Sequence, residues 1–293
     1  MSQHSEAGPP TTPYCYRHTD RETYIVCQRC GRPICPDCMR QASVGYHCPE
    51  CVSEAARSIR QPRTVAGGLA PGQVGAVSYV LIAINVVAFI GQLATGGNNG
   101  TLTEWGAMLT GTWRGHDGSI LHGVDDGGWW RIVTSGFLHF GFLHILLNMY
   151  ALYLFGPMLE RMLGNLRFLA MYATCLVSGS LFVYLFADPG TITAGASGAI
   201  FGLLGCTLVL FLQHGYDVRV LLGLLAINGV ITVVFGGISW QAHLGGFVAG
   251  VITGAVLGFA PKKARTYLQI AGLAVLWIAL VAGFVLRTSQ LTA

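Results

Sequence analysis

Past its first seventy residues the chain is dominated by long apolar runs, interrupted by short clusters of Gly, Pro, Asp and Lys. A helix that crosses a bilayer needs about 20 mostly apolar residues. On that measure the pattern predicts seven spans, over 75–94, 138–159, 168–187, 192–212, 220–239, 242–260 and 267–286. Asp188-Pro189-Gly190, His214-Gly215-Tyr216-Asp217 and Pro261-Lys262-Lys263 read as the turns between them. The expected fold class is an all-α polytopic membrane protein, with a helical bundle over 75–286 and a short tail over 287–293. The stretch 95–137 is too long for a simple connector and carries Trp105, Trp113, Trp129 and Trp130, residues that favour the membrane interface. A structured segment partly sunk in the outer leaflet is expected there.

Composition agrees with lipid as the main solvent: 53% of the 293 residues are hydrophobic and 10% charged, which excludes an ordinary water-soluble domain for most of the chain. The first sixty or so residues are different, polar and rich in cysteine, without the apolar core of a signal peptide. They are expected to stay in the cytoplasm. Basic residues near span ends are retained inside. With the N-terminus inside, Arg57, Arg60, Arg63, Arg161, Arg167, Arg219, Lys262, Lys263 and Arg265 fall on the inner side, against Arg114, Arg131 and Arg287 outside. The implied location is the plasma (cell inner) membrane, with membrane lipid around the spans. The Ala- and Gly-rich composition, with Arg preferred to Lys, points to a bacterium of high genomic GC content. The net charge of +4 is small, and residues 15–51 hold five Arg against four Asp and Glu, so no nucleic-acid partner is expected.

Ionisable side chains inside a bilayer mark functional sites by default. Five of the seven windows contain none; the second holds His139 and His144 and is followed by Glu160, and the sixth begins with His243. The lack of intramembrane carboxylates argues against a proton- or ion-coupled transporter. The second, fourth and sixth windows share one direction, and His144, Asn148, Ser197 and His243 all lie within about the first three turns of them. Four polar groups at one depth near the outer face can converge in a wet pocket. Ser197 is flanked by Gly195, Ala196 and Gly198, whose small side chains let a substrate backbone approach, although small residues also serve helix packing. His243 supplies an imidazole able to take the hydroxyl proton.

Gly195-Ala196-Ser197-Gly198, Ala242-His243 followed by Gly246 and Gly250, and His144-x-x-x-Asn148 together resemble the rhomboid intramembrane serine proteases over about residues 75–286. The resemblance implies a dyad of Ser197 as nucleophile and His243 as general base and later acid, without a carboxylate. It assigns His144 and Asn148 to the oxyanion hole together with the serine N–H. Gly246 and Gly250 would let the sixth span pack closely on the fourth. Trp130-Arg131 matches a structural pair in the family's first external loop. Phe201 stands where many members have Tyr one turn after the serine, so the ring is kept for packing on His243 but the phenol hydroxyl is lost. The implied substrates are transmembrane proteins, cut near the outer face where their helices unwind. The seventh span gives the six-plus-one form. The competing reading is a catalytically silent rhomboid-like protein that binds or escorts membrane clients.

Residues 15–51 read Cys15-x-x-His18, Cys27-x-x-Cys30, Cys35-x-x-Cys38 and Cys48-x-x-Cys51, four pairs at metal-ligand spacing. Eight ligands suit two structural zinc ions, with His47 a possible substitute for Cys48. A disulfide framework is the alternative, disfavoured by the inner location. The order of pairs resembles a B-box-like zinc finger, which implies alternate pairs sharing a metal: Cys15, His18, Cys35 and Cys38 for one, Cys27, Cys30, Cys48 and Cys51 for the other. Catalysis would need no metal. A cytoplasmic partner for this module remains open. Residues 1–14 are read as a flexible N-terminus and 52–74, with Pro62, Gly67, Gly68, Pro71 and Gly72, as a mobile linker.

Overall fold

The chain divides into two units, Met1–Gln61 and Pro62–Ala293. The computed structural model describes residues 12–58, 62–114, 120–234 and 237–292.

In the first unit, spacing and not hydrophobicity dictates the fold. Its interior is Cys15, Cys27, Ile34, Cys35, Cys38, Cys48 and Cys51, with Tyr16 and Met39 packed against them. So few apolar atoms cannot stabilise a domain of this size without cross-links. Regular structure is correspondingly short: a 3-10 turn at Pro36–Cys38, an antiparallel pair of Arg40–Gln41 with Tyr46–His47, and helix α1 (Pro49–Ser58).

The second unit is a helical bundle: α2 (Ala76–Ala94), α3 (Thr101–Gly106), α4 (Arg131–Thr134), α5 (Phe142–Leu163), α6 (Asn165–Phe186), α7 (Ser197–His214), α8 (Arg219–Val234), α9 (Trp240–Gly258) and α10 (Arg265–Thr292). Among the described residues six helices, α2, α5, α6, α7, α9 and α10, are long and apolar enough to cross a membrane; α8 is apolar but shorter. This is an all-α polytopic membrane protein carrying a small Cys/His-rich N-terminal unit.

The tightest seam, between α7 and α9, is set by glycine. A Cβ on Gly246 would fall onto the Gly198 carbonyl, and one on Gly250 onto the Gly202 carbonyl. No side chain fits between these backbones, so the two helices meet at backbone-to-backbone distance. α6 closes the third side, with Gly179 facing the Ala242 carbonyl and Ser178 Oγ donating to Gly245 O at 2.9 Å. Elsewhere Glu160, fully buried on α5, accepts from Val77 N (3.2 Å), Ser78 N (3.1 Å) and Ser78 Oγ (2.9 Å). These are first-turn donors of α2 with no acceptor in their own helix, so a carboxylate from one helix caps another.

The long connector between α2 and α5 is ordered where described. Arg131 is buried and donates to His122 O (2.8 Å), Glu104 O (2.7 Å) and Ala107 O (2.7 Å). Trp130 Nε1 reaches Trp105 O at 2.8 Å while the two indoles stack at 5.7 Å. The Trp-Arg pair thus pins α3 to α4 through backbone carbonyls.

Three sequence boundaries are corrected. The linker bounds 52–74 are too wide: residues 52–58 belong to α1, while Ala66 is buried and donates to Met162 O. Gly68 abuts the Leu163 carbonyl, so its glycine composition serves close packing and not mobility. The tail 287–293 is helical to Thr292, because nothing in Arg287-Thr288-Ser289-Gln290 stops a helix. The 192–212 window starts too early: Ile192–Thr193 pairs antiparallel with Met108–Leu109, and the helix opens only at Ser197. Residues 1–11 of the expected flexible N-terminus lie outside the described residues.

Candidate active site and metal clusters

Ser197 is the first residue of α7 because of what precedes it. Gly195 has φ +141° and donates its N–H to Ser135 O at 2.9 Å. A Cβ there would meet the His144 ring at 2.8 Å, so both the backbone angle and the neighbouring imidazole require glycine. The chain then turns into a helix whose first N–H groups have no acceptor within the helix.

That cavity, of about 690 Å³, is lined by Ser197, His243, His144, Asn148, Gly195, Gly198 and Phe201. Helices α5, α7 and α9 each contribute their opening turns. Gly246 and Gly250 lie off the cavity, further along α9 at the seam with α7. Among the described residues, none that lines the cavity is an Asp or Glu.

Each polar group has a definable state. Asn148 is buried and its Nδ2 has no hydrogen-bond partner, leaving a free donor in the cavity. His144 Nδ1 lies 3.4 Å from the Phe140 backbone N–H, which can only donate. The proton of a neutral His144 is therefore on Nε2, a second donor. His243 is buried, with its ring stacked on Phe201 at 4.0 Å and 13°. Its helix start is fixed by Ser239, whose Oγ accepts from Ala242 N at 3.2 Å. Among the described residues Ser197 makes no direct hydrogen bond to His243; the His243 Nδ1 lies 2.8 Å from Thr232 Oγ1 on α8. Such contacts are often long before substrate arrives.

Thr232 carried no signal in the sequence. A threonine in an apolar window bonds its own helix by default, and no spacing rule links it to a histidine eleven positions on. His139 was visible in the sequence but its placement was not: it is buried edge-on to His144 at 5.1 Å, with Gln92 Oε1 accepting its backbone N–H at 2.8 Å.

Residues 126–260 match the profile of the Rhomboid domain. YdcA, a provisionally named rhomboid protease of Bacillus subtilis (strain 168), is 37% identical over 150 residues, 50% of this chain and 74% of YdcA. This chain belongs to the rhomboid family. Rhomboid protease GluP of the same organism is 33% identical over 217 residues, 71% of this chain but 39% of GluP. RHOMBOID-like protein 5 of Arabidopsis thaliana is 34% identical over 146 residues, 47% of each chain. The rhomboid match runs from the end of the α3–α4 connector to the end of α9, so of the described residues lining the cavity it contains all but Met108.

Outside the rhomboid match, the N-terminal unit holds two further sites. Cys15, His18, Cys35 and Cys38 form one cluster, and Cys27, Cys30, Cys48 and Cys51 the other, with the donor atoms of each within 4.8 Å of one another. The fourth donor of the second is Cys48 and not His47. His18 Nδ1 is 3.8 Å from Cys15 Sγ, 3.2 Å from Cys35 Sγ and 3.4 Å from Cys38 Sγ; Cys30 and Cys48 Sγ are 3.8 Å apart. A tetrahedral ion with bonds of about 2.0–2.3 Å fits inside such a set. Each cluster could therefore hold a metal ion.

The chemistry of the donors agrees. Burial pushes the Cys15 and Cys27 thiols up, but backbone N–H groups from both knuckles outweigh it and bring them down to about 6. Burial beside already charged sulfurs pushes Cys38 and Cys51 the other way. Thiolates thus form readily up to the point where only a cation would let the last one ionise. Arg32 offsets part of the charge, with Nε 3.3 Å from Cys30 Sγ and Nη2 3.6 Å from Cys48 Sγ.

Proposed function

We propose that this chain is an intramembrane serine endopeptidase that cuts transmembrane proteins near the outer face of the membrane. The observation that carries this reading is the convergence of Ser197, His243 and two unspent donors, Asn148 Nδ2 and His144 Nε2, on one cavity.

The chemistry follows from those states. Ser197 Oγ attacks a peptide carbonyl as His243 Nε2 takes its proton. The oxyanion is held by Asn148 Nδ2–H, His144 Nε2–H and the Ser197 N–H, donors already aimed before charge develops. Collapse of the intermediate returns the proton from His243 to the leaving amine. Water, activated by the same imidazole, then cleaves the acyl-serine and restores the hydroxyl. A carbonyl within a regular helix is hydrogen-bonded and shielded, so the substrate segment must unwind to be attacked.

The excess of Arg and Lys at one set of span ends supports a cytoplasmic N-terminus and a plasma-membrane site of action, with α8 as the short fifth of seven spans. The donor sets support zinc as the ion, one per cluster. A closed site with all positions taken by Cys and His is structural, so zinc would fold the N-terminal unit and take no part in hydrolysis.

Replacing Ser197 by Ala or His243 by Ala should abolish cleavage of a single-span substrate in lipid while the purified protein stays folded. Cleavage by either variant would refute the dyad. The silent-binder reading draws on the missing direct Ser197–His243 bond, and a fluorophosphonate probe separates the two: the enzyme is labelled at Ser197, the binder is not.

A further inference from the structure

We propose that Thr232 is the positioning residue of this site, fixing His243 in the form that carries its proton on Nδ1 and leaves Nε2 free as the base. The inference rests on the protease reading and adds to it a third group in a cavity whose described lining holds no carboxylate.

The argument is one of counting protons. Thr232 Oγ1 lies 2.7 Å from the Asn228 carbonyl oxygen and 2.8 Å from His243 Nδ1. A hydroxyl has a single proton. Two oxygens at 2.7 Å without a proton between them would repel, and the carbonyl has none to give, so the threonine proton lies on that line. The remaining contact must then run the other way, with Nδ1–H donating to a lone pair of Thr232. Once Nδ1 is protonated, the neutral ring is unprotonated at Nε2, the state a general base requires. The Asn228 carbonyl therefore sets the direction of a two-step relay that ends on the imidazole.

Three further facts make this more than a helix threonine bonding its own backbone. Thr232 is buried, and apart from Leu221 it is the one buried residue of α8. Its partner comes from a different helix, and both side chains line the cavity that holds Ser197. Finally, His144 in the same cavity is held by the Phe140 N–H in the opposite form, protonated on Nε2. One cavity thus contains two imidazoles, one turned into a donor and one into an acceptor, each by a single neighbour.

The test uses full-length protein in lipid nanodiscs with ¹⁵N-labelled histidine. The His243 signals are assigned by their loss in His243→Gln. The wild-type protein should show Nδ1 protonated. In Thr232→Val, which keeps the shape and removes the acceptor, the Nε2-protonated form should gain population. Its kcat should fall about three- to tenfold, the weight of one hydrogen bond, with KM little changed. Thr232→Ser should restore both nitrogen pattern and kcat. An unchanged nitrogen pattern in Thr232→Val overturns the inference, whether or not kcat falls, because a rate loss without it comes from packing. Ser197→Ala separates the two levels: cleavage that survives it defeats the protease reading, while the nitrogen pattern still judges Thr232.

Discussion

Sulfur fills the interior of the N-terminal unit, whereas the bundle at its tightest seam is filled by bare backbone. In the first, six cysteines and Ile34 are nearly all that is enclosed, and the donor atoms stand close enough to repel one another once ionised. In the second, Gly198, Gly202, Gly246 and Gly250 remove side chains so that α7 and α9 touch directly. One interior is made of side chains that could bind an ion, the other is set by what its side chains lack. The difference predicts what each unit can lose.

The largest effect should come from stripping metal. A strong chelator should unfold the N-terminal unit outright, since ligation in such modules is worth about 10 kcal/mol or more. Loss of chemical-shift dispersion for residues 12–58 is the measurement, and a unit that keeps its fold without metal would erase the contrast. Next in size is Gly250→Val. With the Gly202 backbone on the other side there is no flexible neighbour to yield, and a destabilisation of about 3 kcal/mol is expected from thermal or denaturant unfolding in lipid. A near-neutral result would mean that the seam is looser than its geometry.

Asn148→Ala comes third and sharpens the comparison from inside the bundle. Its Nδ2 has no partner among the described residues, so stability should hardly change while kcat drops about a hundredfold. Equal losses of stability and rate would make it a packing residue. The smallest effect is expected for Arg32→Gln, whose half-buried guanidinium lies beside two sulfurs. Metal affinity should weaken by no more than about tenfold in a competition titration.

The same contrast explains how much could be read in advance. Ligand chemistry is local, and Cys-x-x-Cys and Cys-x-x-His announce themselves at any position, so the four pairs were legible from spacing, whereas the grouping of alternate pairs came only from the B-box resemblance. The spans were legible because every lipid-facing turn must be apolar. Boundaries were less so: a helix that begins at Ser197 follows an apolar pair, Ile192–Thr193, that is extended only because Met108–Leu109 lies beside it. The linker composition of 62–72 hid packing, because glycine signals freedom and close approach with the same letter. Thr232 was beyond reach altogether. Its partner is set by how α8 stands against α9, a relation that neither periodicity nor residue type encodes.

Glu160 carries one last consequence. Its carboxylate is enclosed within the bundle and is balanced not by a cation but by the opening peptide groups of α2, more than eighty residues earlier in the chain. The stretch that matches the Rhomboid domain, 126–260, includes the acid but leaves out the peptides that solvate it. A fragment trimmed to that stretch would enclose a carboxyl group without the donors it accepts from, so a piece that keeps this interhelical cap must begin ahead of Ala76.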